Sequence, residues 1–129
     1  MSHAAIDSRR ILRRLLANGP LTAMPRRPAD AELLLRLAAA RFEAGTIYTE
    51  EQVNELLQAW LETISAPYGI DHVSLRRCLV DMQFVLRNAS GSTYALNPGR
   101  DRRVAEVNPA EILADIQRER AMRKRQHAA

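Results

Sequence analysis

The sequence contains one lysine, one cysteine and no apolar run approaching the length of a membrane span. A lone cysteine cannot close an intramolecular disulfide. Cys78 falls within an apolar stripe and reads as a small buried hydrophobe. The opening MSHAAIDSRR lacks the apolar segment of a signal peptide, so the expectation is a soluble, cytoplasmic protein. His3, His72 and His127 are separated by more than any short metal-ligand spacing, with only Cys78 to join them, and no metal is expected. Neither a phosphate-cradling glycine loop nor a nucleophile elbow is present, so neither an enzyme nor a cofactor is expected. The amphipathic ends are too short to argue for a membrane role.

What is present is arginine, unevenly distributed. The 129 residues carry a net charge of +4. Residues 1–29 hold six arginines against Asp7, a net of +5, and residues 99–129 hold eight cations against five acids, a net of +3. Between them, residues 30–98 hold five arginines against nine acids, a net of −4. The body as a whole repels phosphate, so a nucleic-acid role has to rest on a local patch and on the basic ends.

The chain is organised around Asp71 to Asp81, DHVSLRRCLVD. Asp71 is an N-cap residue by type and position. Leu75, Cys78, Leu79 and Met82 recur at i, i+3, i+4 and i+7, a spacing that predicts one core-facing stripe. At about 100° per residue, Arg76 and Arg77 point away from that stripe together with Val73 and Val80. A mixed outer face of this kind predicts that something covers part of it.

Three helical segments and a connector surround this element. Ile6 to Ala17 sets Ile11, Leu12, Leu15 and Leu16 against Arg9, Arg10, Arg13 and Arg14, and ends at Asn18-Gly19-Pro20. Its arginine face suits solvent, phosphate or a dimer contact. Asp30 is expected to cap a nearly all-apolar core helix reaching about Phe42. Thr46 to Tyr48 is strand-prone, and Thr49 with Gln52 forms a capping box that opens a helix to about Ile64. The Pro- and Gly-containing loop at Ser65 to Ile70 leads into the central helix.

Beyond the central helix, Phe84 to Asn88 and Thr93 to Leu96 flank a Gly-containing turn and predict a β-hairpin. Asn97 to Val107 reads as a basic linker. Asn108-Pro109-Ala110-Glu111 signals a last helix, with Ile112, Leu113 and Ile116 as its apolar patch. Its arginine-rich end reads as a solvated tail. The expectation is therefore a mainly α protein with a small β-hairpin: a winged helix over residues 20–97, a basic amphipathic helix at 1–19 and a linker plus helix at 98–129. In that element order the third core helix reads the groove and the hairpin is the wing.

Leu21-Thr22, Met24-Pro25, Arg41-Phe42-Glu43, Tyr48-Thr49-Glu50, Val53-Asn54-Glu55-Leu56-Leu57, Leu75-Arg76-Arg77, Leu79-Val80, Arg87, Gly91 and Tyr94 carry a resemblance. In these signatures the chain resembles the bacterial family named domain of unknown function 2087, over roughly residues 20 to 97. The resemblance implies a winged-helix module, found alone or behind an ArsR- or MarR-type DNA-binding domain. It matches Arg76 and Arg77 to the family's arginine pair, Glu50 and Asn54 to its polar helix start and Tyr94 to the aromatic ending its wing. Cys78 departs from an aromatic, and Ala59 to Ile70 is longer than the family's connector.

The leading expectation is a small regulator binding double-stranded DNA. His72, Arg76 and Arg77 would approach the major groove, Arg87 and Ser92 an adjacent backbone, and Arg9, Arg10, Arg13 and Arg14 phosphate. A homodimer through the terminal helices is expected alongside. The alternative is a winged-helix-shaped interaction module that binds no DNA, in which the arginine pair forms ion pairs with Glu50, Glu51 or Asp81.

Overall fold

A computed structural model describes the backbone of residues 3–128 and the side chains of residues 8–127, so the side chains of His3, Ile6 and Asp7 lie outside it. The protein is mainly helical with a small antiparallel sheet. In chain order the elements are α1 (His3–Leu15), α2 (Pro28–Ala39), β1 (Tyr48–Thr49), α3 (Glu50–Leu61), α4 (His72–Asp81), β2 (Val85–Arg87), β3 (Thr93–Leu96) and α5 (Pro109–Ala128). Among the described residues, no helix is long and apolar enough to cross a membrane.

Local signals set most of the helix starts. Thr49 Oγ1 accepts from Gln52 N at 3.1 Å while Gln52 Oε1 accepts from Thr49 N at 2.9 Å, the reciprocal capping box. Asp71 Oδ1 accepts from Ser74 N at 2.7 Å, and Asn108 Oδ1 from Ala110 N at 3.0 Å. Asp30 is a correction: α2 starts three residues earlier, with Arg27 at the N-cap and Pro28 in the first turn, where its missing N–H is not needed. Asp30 is instead buried within the first turn and accepts from Arg14 at 2.6 Å.

The core lies between α2, α3 and α4 and one face of the sheet, with Leu34, Leu37, Leu57, Leu75, Leu79 and Phe84 fully enclosed. Met82 does not belong to it. Helix α4 ends at Asp81, and Gln83 at φ 67° turns the chain so that Phe84, not Met82, enters the core. Val80, expected to face outward, packs partly against the core. The sheet runs in the order β1–β3–β2, pairing Tyr48 with Tyr94 and Arg87 with Tyr94 across the central strand.

Two expectations about the C-terminal third change. Residues 97–107 are a strap rather than a loose linker. Arg100 lies over the Phe84 ring at 4.0 Å and donates to Glu32 at 2.8 Å, Arg36 donates to the Arg103 carbonyl at 2.8 Å, and Arg41 pairs with Glu106. The apolar patch of α5 is used as expected but within one chain: Ile112 and Ile116 are buried and α5 packs on α1, while residues 121–127 are exposed. That pairing takes up the apolar faces offered for a homodimer, so a dimer through the terminal helices would need other surfaces.

Candidate functional site

Helix α4 carries two stripes. Leu75 and Leu79 face the core, while Val73, Arg76, Arg77 and Val80, at i, i+3, i+4 and i+7, line an open groove against the β2–β3 turn. The groove has a volume of about 410 Å³ and is completed by Arg87 and Gly91. Glu50 and Asp81 bring carboxylates to it.

The start of α4 is held by its preceding loop. Leu21 N donates to the Ile64 carbonyl and Ala66 N to the Leu21 carbonyl, both at 2.8 Å, and Ile70 N donates to Ser65 Oγ at 2.8 Å. Gly69 sits where a Cβ would come within 2.6 Å of the Leu21 carbonyl oxygen, so only glycine fits that approach. Asp71 then fixes the first turn. Its carboxyl is held below the usual carboxylate range by the Ser74 backbone N–H first and the Ser74 hydroxyl second.

Helices α3 and α4 run antiparallel along a polar ladder. Glu50, Asn54 and Gln58 follow at four-residue steps on α3, as His72 and Arg76 do on α4. Gln58 Nε2 lies 3.2 Å from His72 Nδ1, Asn54 Oδ1 accepts from Arg76, and Arg76 stands 3.2 Å from Glu50 Oε1. The Arg76 guanidinium also lies 5.7 Å from the centre of the buried Tyr94 ring. With its side chain only 17% exposed, Arg76 is a fastened group. His72 faces α3 and does not line the groove.

Arg77 is one step of about 100° further round the helix. It is exposed, and among the described residues it makes no hydrogen bond or ion pair. Arg87, on the facing strand, is exposed and unpaired in the same sense. Its guanidinium lies over Gly91, where a Cβ would strike it, and Gly91 at φ 73° is in the left-handed region glycine favours. The turn beneath is rigid: Asn88 Oδ1 accepts from Ser92 N at 2.9 Å and Thr93 N at 3.1 Å, and Asn88 Nδ2 donates to Ser92 Oγ at 3.0 Å. The Ser92 hydroxyl is thus used within the turn. Asn88 was not singled out in the sequence, although an Asn three residues before a Gly in a strand-flanked turn is a local signal for this role.

Cys78 flanks the core stripe, partly buried against the core, and burial, then the Asp81 carboxylate, push its thiol up. It therefore stays protonated and behaves as an apolar group.

The N-terminal arginines are elsewhere and largely occupied. Arg9 lies 3.2 Å from Asp115, Arg13 2.7 Å from Glu119 and Arg14 2.6 Å from Asp30, while Arg10 is exposed and also has a partner. The groove brings together Arg76, Arg77 and Arg87 out of the nine residues singled out in the sequence.

These features define a helical domain with a three-stranded sheet and a cationic groove between its fourth helix and a β-hairpin. The chain belongs to the family described as "Uncharacterized protein conserved in bacteria (DUF2087)", whose model matches residues 20–96. That span covers α2 through β3 and leaves α1, the strap and α5 outside. No curated protein and no solved structure matches the chain significantly.

Proposed function

We propose that residues 20–97 form a winged helix that binds double-stranded DNA and serves as a cytoplasmic transcription regulator, in keeping with the ArsR/MarR association that its resemblance implies. In this reading α4 is the groove helix and the β2–β3 hairpin the wing. The element order and the β1–β3–β2 sheet support the winged-helix assignment.

One observation carries the DNA reading: Arg77 and Arg87 are exposed, lack carboxylate partners among the described residues and face one groove from two elements. Guanidinium groups left without internal partners are the ones available to phosphate or to a guanine edge. Arg76 acts differently here. Glu50 and Asn54 hold it, so it is a positioning residue that ties α4 to α3.

The test is fluorescence anisotropy of a labelled mixed-sequence duplex at several salt concentrations. Wild-type protein should bind with a steep salt dependence. The Arg77→Ala/Arg87→Ala variant should lose about two units of log–log slope, at roughly 0.9 per phosphate contact, with an unchanged circular dichroism spectrum. A wild-type chain that binds no duplex at low salt would sink this reading.

A second reading is favoured by Val73, which is 41% exposed in the groove beside Val80. An apolar stripe flanked by two arginines also suits an acidic, partly apolar peptide segment. Such an interaction module would bind no duplex, so the same titration separates the two.

A further inference from the structure

We propose that the last two turns of α5, residues 121–127, form a second nucleic-acid contact: a cationic arm that lies in a groove of the duplex with phosphates on both walls. This inference rests on the duplex-binding reading above. It concerns residues beyond the span matched by the family model.

Tertiary support for α5 stops abruptly. Ile112 and Ile116 are buried, Asp115 and Glu119 hold Arg9 and Arg13, Arg118 pairs back to Asp115, and Arg120 donates to the Ala17 carbonyl. From Ala121 to His127 every residue is exposed, yet the segment continues as helix for about 10 Å. A helical segment exposed on all sides gains nothing from packing.

The composition selects the kind of partner. Residues 121–127, AMRKRQH, contain Arg123, Lys124 and Arg125 and no acid. Among the described residues none of the three cations is engaged in a hydrogen bond or ion pair. A helix that docks into a protein groove needs apolar anchors at i, i+3, i+4 and i+7. One that lies on a membrane needs an apolar face. This segment offers only Met122 as an exposed large apolar group.

Geometry narrows the choice further. Three consecutive cations at about 100° steps fan over some 200° of the helix circumference. A flat acidic surface could meet one or two of them. A DNA groove, wide enough to admit a helix and bordered by two phosphate rows, can meet all three. Arg9, Arg13 and Arg14 of α1, by contrast, are tied to carboxylates, so in this proposal the phosphate role expected of the N-terminal helix passes to the C-terminal one.

The experiment uses the full chain and the same labelled duplex, comparing wild type with Arg123→Ala/Lys124→Ala/Arg125→Ala and with Arg123→Lys/Arg125→Lys. The alanine variant should fold normally by circular dichroism and lose about 2.7 units of salt slope. Between 50 and 200 mM salt its affinity should then fall roughly 40-fold less than that of wild type. The lysine variant, which keeps the charges, should retain the wild-type slope. If wild type binds the duplex and the alanine variant has the same slope, the cations serve only their own helix end, and the arm is overturned while the groove reading stands. If wild type does not bind, the groove reading fails and the arm fails with it.

Discussion

Two regions of this molecule are rich in arginine and differ in what those arginines face. On α1, Arg9 and Arg13 stand against carboxylates of α5 and Arg14 against Asp30 of α2, and the cations neutralise the protein's own acids. In the groove between α4 and the β2–β3 turn, Arg77 and Arg87 meet no carboxylate within hydrogen-bond reach among the described residues, while Arg76 is fastened. The side chains are of the same type in the two places. The number of internal partners separates a structural clasp from a surface available to a ligand, which no count of charges along the chain reveals.

The comparison breaks most visibly if the α1–α5 clasp is not structural. Leu12 of α1 is fully buried in the core, so Leu12→Ala should cost about 3 kcal/mol in urea unfolding, within the usual range for a leucine truncated in a core. A loss under about 0.5 kcal/mol would mean that the terminal helices merely rest on the domain. Arg76→Ala should cost about 1–2 kcal/mol, because it removes the charged donor to Asn54 and the partner of Glu50. Arg77→Ala, one residue on, should stay within about 0.5 kcal/mol. Equal effects at the two positions would erase the distinction between a fastened and an available arginine.

Asp71 sharpens the same contrast from the side of helix α4. Its folded carboxyl binds a proton less readily than an unfolded one, because the Ser74 N–H and hydroxyl donate to the charged form. The contribution is therefore complete above the unfolded value of about 4 and is lost as pH falls through the depressed folded value. Wild type and Asp71→Ala should differ by about 1 kcal/mol at neutral pH and converge in acid. A difference that persists unchanged in strong acid would contradict the capping role. The smallest effect belongs to Arg13→Ala, whose exposed pair with Glu119 should contribute no more than about 0.5 kcal/mol. Duplex binding should keep its salt slope in that variant, and a lower slope would return α1 to the phosphate-binding surface.

Features written in short-range chemistry were legible in the sequence. The caps at Thr49, Asp71 and Asn108, the hairpin and both stripes of α4 depend on residues three to seven apart, and periodicity suffices to find them. The groove stripe Val73-Arg76-Arg77-Val80 was visible in this way, and of Glu50, Glu51 and Asp81 offered as partners for the arginine pair, Glu50 meets Arg76. Met82 was misplaced because its spacing continues the core stripe beyond the point where Gln83, with φ 67° and no glycine to announce it, turns the chain. The strap and the clasp had no local trace at all. Arg100 reaches Glu32 across 68 residues, and Arg13 reaches Glu119 across 106. Two adjacent arginines with opposite fates were likewise indistinguishable until the position of α3 fixed which one it would hold.

The clasp also bears on how the molecule comes apart. Joining the first helix to the last closes a loop of roughly a hundred residues, so these contacts are expected to form late in folding. Interactions made that late are absent from the folding transition state. Their strength is therefore read in the unfolding rate rather than in the folding rate. The destabilisation in Leu12→Ala should accordingly appear on the unfolding arm of a chevron plot. With that outcome the paired termini would be a latch on the native state, setting how long the domain survives once formed and leaving how quickly it forms unchanged.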